Sequence, residues 1–181
     1  LYAEANYKFL PRFLLNAGVR LSVLHAPASA YYAAKTFVMP EPRAELSFIP
    51  NASHRFSASY TQAAQSIHML TTSSVGIPSD MWMPANALLK PSVMRQLALG
   101  YEYNFPDKEY TLSLEAYMRR TSHVVDYRKN ADIFQNDRIE DEVETGSARG
   151  CGLEFYLSKN KGAVTGWISY TLSRARNRIG G

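Results

Sequence analysis

Two stretches of the sequence collect the side chains able to do chemistry. The first, "SIHMLTTSSVGIPSDMWMPANALLKP", holds His68, Met69, Asp80, Met81, Trp82, Met83 and Lys90. Soft thioether sulfurs beside an indole suit an apolar or metal-bearing ligand such as a haem or corrinoid, although such residues more often fold a loop onto itself. Gly76, Pro78, Pro84 and Pro91 supply turn geometry, which favours a defined loop. The second stretch, residues 121 to 148, carries His123, Asp126 and Tyr127, followed by Asp132, Asp137, Glu140, Asp141, Glu142 and Glu144. Its carboxylates suit a cationic group or divalent ions bridging lipopolysaccharide, but lack the Asp/Asn/Gly spacing of a calcium loop. The candidate ligand-binding residues are therefore His68, Met69, Asp80, Trp82, Met83, His123, Asp126 and Tyr127.

Nothing in the chain reads as an enzyme. No G-x-S-x-G, H-E-x-x-H or phosphate-cradling glycine pattern occurs. His25, His54, His68 and His123 are scattered, so no metal site and no cofactor are expected. The single Cys151 forms no intramolecular disulfide and reads as a small residue in a strand. The net charge of +4 is mild, and the one basic cluster is "RARNR" at 174 to 178. That cluster suits anionic lipid head groups or nucleic acid, but a solvated loop is the commoner context. With no second basic patch, no nucleic-acid partner is expected.

The elements that must hold these stretches are strands. In "RQLALGYEYNFPDKEYTLSLEAYMRR", Leu97, Leu99, Tyr101 and Tyr103, then Tyr110, Leu112, Leu114, Ala116 and Met118, alternate with Gln96, Ala98, Gly100, Glu102, Thr111, Ser113, Glu115 and Arg119, the period of a β-strand. The same alternation recurs at 12 to 24, 42 to 49, 55 to 61, 151 to 158 and 163 to 174. With "LYAEANY" at the start, about eight strands in four hairpins are expected. Tight turns fall at 8 to 11, 50 to 53, 104 to 108 and 159 to 162, and long connections at about 25 to 40, 63 to 91 and 121 to 148. Strict alternation of short and long connections implies an up-and-down antiparallel meander with all tight turns at one end.

The solvent on each face is open at this point. No apolar run reaches the roughly 18 residues of a transmembrane helix, but a transmembrane barrel leaves no such signal. The face opposite the apolar stripes carries Arg20, Arg43, Glu45, Arg55, Glu102, Glu115, Arg119 and Glu154, as a wet or plugged lumen permits. Rings crowd the tight-turn end, where a membrane girdle or simple cross-strand packing would place them. A soluble all-β module, its apolar faces forming a sandwich core and its long loops binding a carbohydrate or protein, is the alternative. The chain opens with Leu1-Tyr2-Ala3-Glu4, without Met or an export signal, and ends on Gly180-Gly181 after the basic run, so both ends read as cut.

Three segments carry a family resemblance: the "ASY" strand leading to a His-containing loop, the "GIPSDMWMP…LKP" loop returning into "ALGY", and the "GLEFYLSKNKGAVTGWISYTLSR" hairpin. In order and spacing, over about residues 42 to 176, they resemble the barrel of TonB-dependent outer-membrane receptors, in particular those of Bacteroidetes type. The resemblance implies a large, roughly 22-stranded barrel with an N-terminal plug. It implies capture of a nutrient such as an iron-siderophore, haem or cobalamin by outer loops, import coupled to TonB, contact with outer-membrane lipid, and a possible surface-lipoprotein partner. On this reading residues 1 to 181 are a single partial barrel, about a third of the whole, in which the plug, the TonB box and the final strands are absent.

Overall fold

A computed structural model describes residues 1–72, 79–107, 109–129, 131 and 138–180. Alternating side chains give β1 (Tyr2–Leu10), β2 (Phe13–Ala26), β3 (Lys35–Asn51), β4 (His54–Gln65), β5 (Ile67–Thr72), β6 (Ser79–Pro84), β7 (Ser92–Asn104), β8 (Tyr110–Tyr127), β9 (Val143–Lys159) and β10 (Gly166–Ile179). Eight of these form one antiparallel sheet in the order β1-β2-β3-β4-β7-β8-β9-β10, an up-and-down meander. The remaining pair, β5 and β6, makes a separate hairpin inside the longest connection.

Register explains why the apolar positions work together. Partners across an antiparallel pair share a face, so one row reads Tyr7, Leu15, Leu46, Ala58, Leu99, Ala116, Leu153 and Leu172, one residue from each strand. The next row toward the tight turns reads Phe13, Phe48, Phe56, Tyr101, Leu114, Phe155 and Tyr170. Among the described residues nothing covers this face: Leu99 is 66% exposed, Leu153 59% and Leu172 59%. A sandwich would bury such a face beneath a second sheet. Here one sheet presents it bare, as a barrel wall presents its lipid face, and the soluble-sandwich alternative fails.

The opposite face is polar, and its charges pair across strands. Arg20 bonds Glu41 at 2.6 Å, Ser22 donates to the same carboxylate at 2.6 Å, and Arg55 bonds Glu45 at 2.6 Å. Arg43 bonds Glu4. Side chains crowd here. The Tyr117 ring lies over Gly152, its cross-strand partner, so a Cβ there would stand 2.8 Å from the ring. The missing Cβ gives the ring its seat, and any larger residue would force the ring to move.

Tight turns sit where the sequence places them. At the β3–β4 turn the Asn51 side-chain oxygen accepts from the Ser53 and His54 amides at 2.9 and 3.1 Å. The turn between β7 and β8 is described except for residue 108. The long connections need correction, because the strands run beyond the apolar alternation. β3 begins at Lys35 rather than 42, despite Pro40 and Pro42. Both prolines face the β4 side of the strand, where pairing with β4 starts only at Arg43–Thr61, so their missing N–H groups cost no ladder bond. "RARNR" is likewise strand, paired along its length with β9, and not a solvated loop. The connections therefore shrink to residues 27–34, 66–91 and 128–142.

Candidate ligand-binding site

The long connections are packed together at the end of the sheet opposite the tight turns. In the β5–β6 hairpin His68 pairs with Met83, Met69 with Trp82 and Leu70 with Met81. Alternation then splits the candidates. Leu70 and Met83 turn inward with Leu89 and join Val125 of β8 in the one buried apolar cluster described, with Tyr127, Ile139 and Val143 packed against it. Met69 (49% exposed), Trp82 (65%) and Ile67 (48%) stay on the outer surface. Asp80 and Asp126 are exposed as well.

His68 is buried, and its ring nitrogens have fixed tasks. Nε2 donates to the Lys90 carbonyl at 3.2 Å, and Nδ1 lies 3.5 Å from the Ser92 hydroxyl. That hydroxyl donates to the His123 carbonyl at 2.7 Å, while His123 Nδ1 donates to the Pro91 carbonyl at 3.2 Å. His123 stands in a bulge between Ser122 and Val124 with φ of 57°, an uncommon conformation for a residue with a Cβ. Burial pushes the His68 imidazole below its ordinary value, opposed by its bond to the Lys90 carbonyl and reinforced by His123 nearby. His123, on β8, holds the loop to the sheet through the Pro91 carbonyl, while His68 closes the loop on itself through the Lys90 carbonyl. Among the described residues no three His, Cys, Asp or Glu side chains are placed to hold a metal ion.

Three residues outside the candidate set complete the loop assembly. Asn86, buried, accepts from the Leu88 and Leu89 amides at 2.9 and 3.0 Å and donates to Glu140 at 3.1 Å, tying the connection 66–91 to 128–142. Arg128 grips the buried Glu142 through two nitrogens, at 2.8 and 2.5 Å. The Arg138 guanidinium lies 4.8 Å from the Tyr31 ring, bringing in the connection 27–34. The "NALL" stretch carries the asparagine-turn chemistry that signals such a tie, but its distant partner Glu140 has no local signature.

The eight candidates thus divide by role. His68, Met83, His123 and Tyr127 build the assembly; Met69, Asp80, Trp82 and Asp126 remain exposed on it. The turn residues Gly76 and Pro78 and the carboxylates Asp132 and Asp137 lie outside the described residues. The joined loops thus leave an indole, a thioether and the carboxylates of Asp80 and Asp126 exposed to solvent.

The sequence model of the family described as "TonB dependent receptor-like, beta-barrel" matches residues 1–181. No curated protein matches the chain in sequence. Among solved structures, the FrpB iron transporter from Neisseria meningitidis (F3-3 variant) superposes with a TM-score of 0.65 at 16% identity, over 98% of this chain and 25% of that one. The apoprotein form of its F5-1 variant gives the same values. The alcaligin outer-membrane receptor FauA from Bordetella pertussis gives 0.62 at 17% identity, over 97% of this chain and 29% of that one. At such identity the likeness is one of fold, and the chain spans between a quarter and a third of the length of these structures.

Proposed function

The chain belongs to the TonB-dependent receptor-like β-barrel family, and on that premise we propose that residues 1–181 are one wall of a receptor that captures a nutrient and imports it with energy from TonB. Family membership supports a location in the bacterial outer membrane, and in this reading the receptor is a transporter and not an enzyme. The ligand in this reading is a bulky chelate of the iron-siderophore, haem or cobalamin class. The plug and TonB box belong to other parts of the same receptor. Outer-membrane lipid covers the bare apolar rows, and a surface lipoprotein, if one serves this receptor, would dock on the joined loops.

The observation that carries the reading is the exposed Ile67–Met69–Trp82 surface on a hairpin anchored by Leu70, Met83 and His68. An apolar, polarizable surface in water has a cost unless a ligand or partner covers it. Anchoring keeps it in place before binding, which lowers the ordering cost of capture. Two of the structural neighbours are named for iron and for alcaligin, which favours an iron chelate.

The test is uptake by cells carrying the receptor, with labelled iron-siderophore, haem and cobalamin offered separately. Replacing the β5–β6 hairpin by a short turn is expected to abolish uptake of one of them while the barrel still inserts. Trp82→Ala should reduce it. Unchanged uptake of all three in the hairpin-deleted receptor would remove this surface from ligand capture.

A further inference from the structure

The bare face ends in arginine. Following β7 toward the long connections, the outward residues are Tyr101, Leu99, Leu97 and then Arg95; on β8 they are Leu114, Ala116, Met118 and then Arg120; on β9 Phe155, Leu153, Cys151 and then Arg149; on β10 Tyr170, Leu172 and then Arg174. Register places Arg95, Arg120, Arg149 and Arg176 directly beside one another in a single row across four neighbouring strands. Strands lie about 4.8 Å apart. Four guanidinium groups therefore share one short arc of wall.

Such a row is unfavourable by itself, because like charges directly opposite in a sheet repel. The polar face relieves several of its arginines with glutamates: Arg20 with Glu41, Arg43 with Glu4, Arg55 with Glu45. The outward row has no such relief. Among the described residues no carboxylate stands within ion-pair distance of Arg95, Arg120, Arg149, Arg174 or Arg176. Among the described residues only Arg95 of the five has a neutral hydrogen-bond partner, donating to Gln62 at 2.8 Å, and Gln62 is itself held by the Pro40 carbonyl at 2.8 Å. All five arginines are exposed.

The row also borders a concavity of about 610 Å³ whose floor is Leu97, Met118 and Cys151 and whose rim is Arg120, Arg149 and Arg176. Apolar floor and cationic rim match an acyl chain below a phosphate. The height fits too. The outward apolar run ends at Leu172 on β10 but continues to Val23 and Val38 on β2 and β3, a sloping limit that a level membrane boundary makes across tilted strands. Arg95, Arg120, Arg149 and Arg174 are the first charges above that boundary.

We propose that Arg95, Arg120, Arg149, Arg174 and Arg176 form a binding site for the phosphate groups of an anionic lipid in the outer leaflet, its acyl chains lying on Leu97, Met118 and Cys151. Guanidinium forks suit phosphate oxygens in bidentate geometry. The proposal rests on the apolar face being the lipid face.

The experiment uses the receptor that carries this segment, purified in neutral detergent, with bound lipid counted by native mass spectrometry. Phosphorylated lipid A and phosphatidylcholine are offered in equal amounts. The wild type is expected to retain lipid A over phosphatidylcholine by at least about tenfold, less so at high salt. R120Q/R149Q/R176Q should lose that preference, and R120K/R149K/R176K should recover part of it. Equal retention of both lipids by the wild type overturns the proposal, as does a preference unchanged in the glutamine variant. Displacement of lipid A by millimolar inorganic phosphate would also overturn it, by revealing an anion site indifferent to acyl chains. Collision quenching by brominated acyl chains of a fluorophore at Leu153 separates the premise. Quenching with no lipid A preference sinks the site alone, while absence of quenching sinks the lipid-face reading.

Discussion

The two rims of the apolar face are built from different chemistry. At the tight-turn rim, rings run from strand to strand: Phe9 to Phe13 at 5.6 Å, Phe13 to Phe48 at 4.7 Å, Phe48 to Phe56 at 6.3 Å and Phe56 to Tyr101 at 5.0 Å, with Tyr103, Phe105 and Tyr110 following. At the other rim β7 to β10 present arginines and no rings on the outward face, apart from Tyr60 of β4 beside them. Rings give an apolar body to hydrocarbon and tolerate any head group. Guanidinium demands an anion. On the proposed reading one wall distinguishes two leaflets, with a neutral-tolerant rim beside the short turns and a phosphate-seeking rim beside the long loops.

The largest effect should come from moving charge off its rim. Leu99→Arg places a guanidinium mid-face and is expected to cost about 3 kcal/mol of insertion stability, whereas Gln62→Arg, beside Arg95, should cost less than about 1 kcal/mol. Urea titration of folding into lipid vesicles measures both, and equal costs would erase the distinction between face and rim. Next in size, Phe48→Ala removes a ring between two others and should cost about 1 kcal/mol beyond the area it covers, whatever the head group. Arg149→Gln should respond to head group instead, destabilising in anionic vesicles and neutral or stabilising in zwitterionic ones, where only repulsion is lost. The same response from both variants would mean the rims do not differ.

The smallest effect concerns the loops above the arginine rim. The His68 imidazole is held below its ordinary value by burial, so the unfolded loop takes up a proton before the packed one does. Packing of the hairpin is then fully stable above about pH 6.5 and weakens as pH falls through the depressed value. Trp82 fluorescence, taken as the difference between the receptor and its Trp82→Phe variant, should report this loosening, and His68→Gln should abolish its pH dependence.

Alternation made the sheet legible, because Leu97, Leu99, Leu112 and Leu114 declare a face without any knowledge of neighbours. The tight turns were legible from Asn51 and its kind. Strand ends were not: β2 and β3 continue through His25–Thr36, paired by backbone and by a 3.0 Å side-chain bond where apolar alternation no longer marks them. The loop candidates fall among the joined loops and divide there into buried and exposed, a split the sequence hid because the hairpin register that buries Met83 and exposes Trp82 depends on a pairing across the intervening turn. The arginine row was legible only at one end, in the "RARNR" cluster that holds Arg174 and Arg176. Arg95, Arg120 and Arg149 are separated from it and from one another by more than twenty positions, and only cross-strand register sets them beside Arg176.

The central claim is that one face of this sheet meets lipid. Spin labels placed singly at positions 95 to 101 of β7, in the receptor inserted into vesicles, test it through collision with dissolved oxygen and with a water-soluble nickel chelate. The expected result is period two, with oxygen contact greatest at Leu99, high at Leu97 and Tyr101, low at Gln96, Ala98 and Gly100, and nickel contact appearing at Arg95. Uniform contact along the strand, or oxygen contact greatest at Ala98 and Gly100, would contradict it.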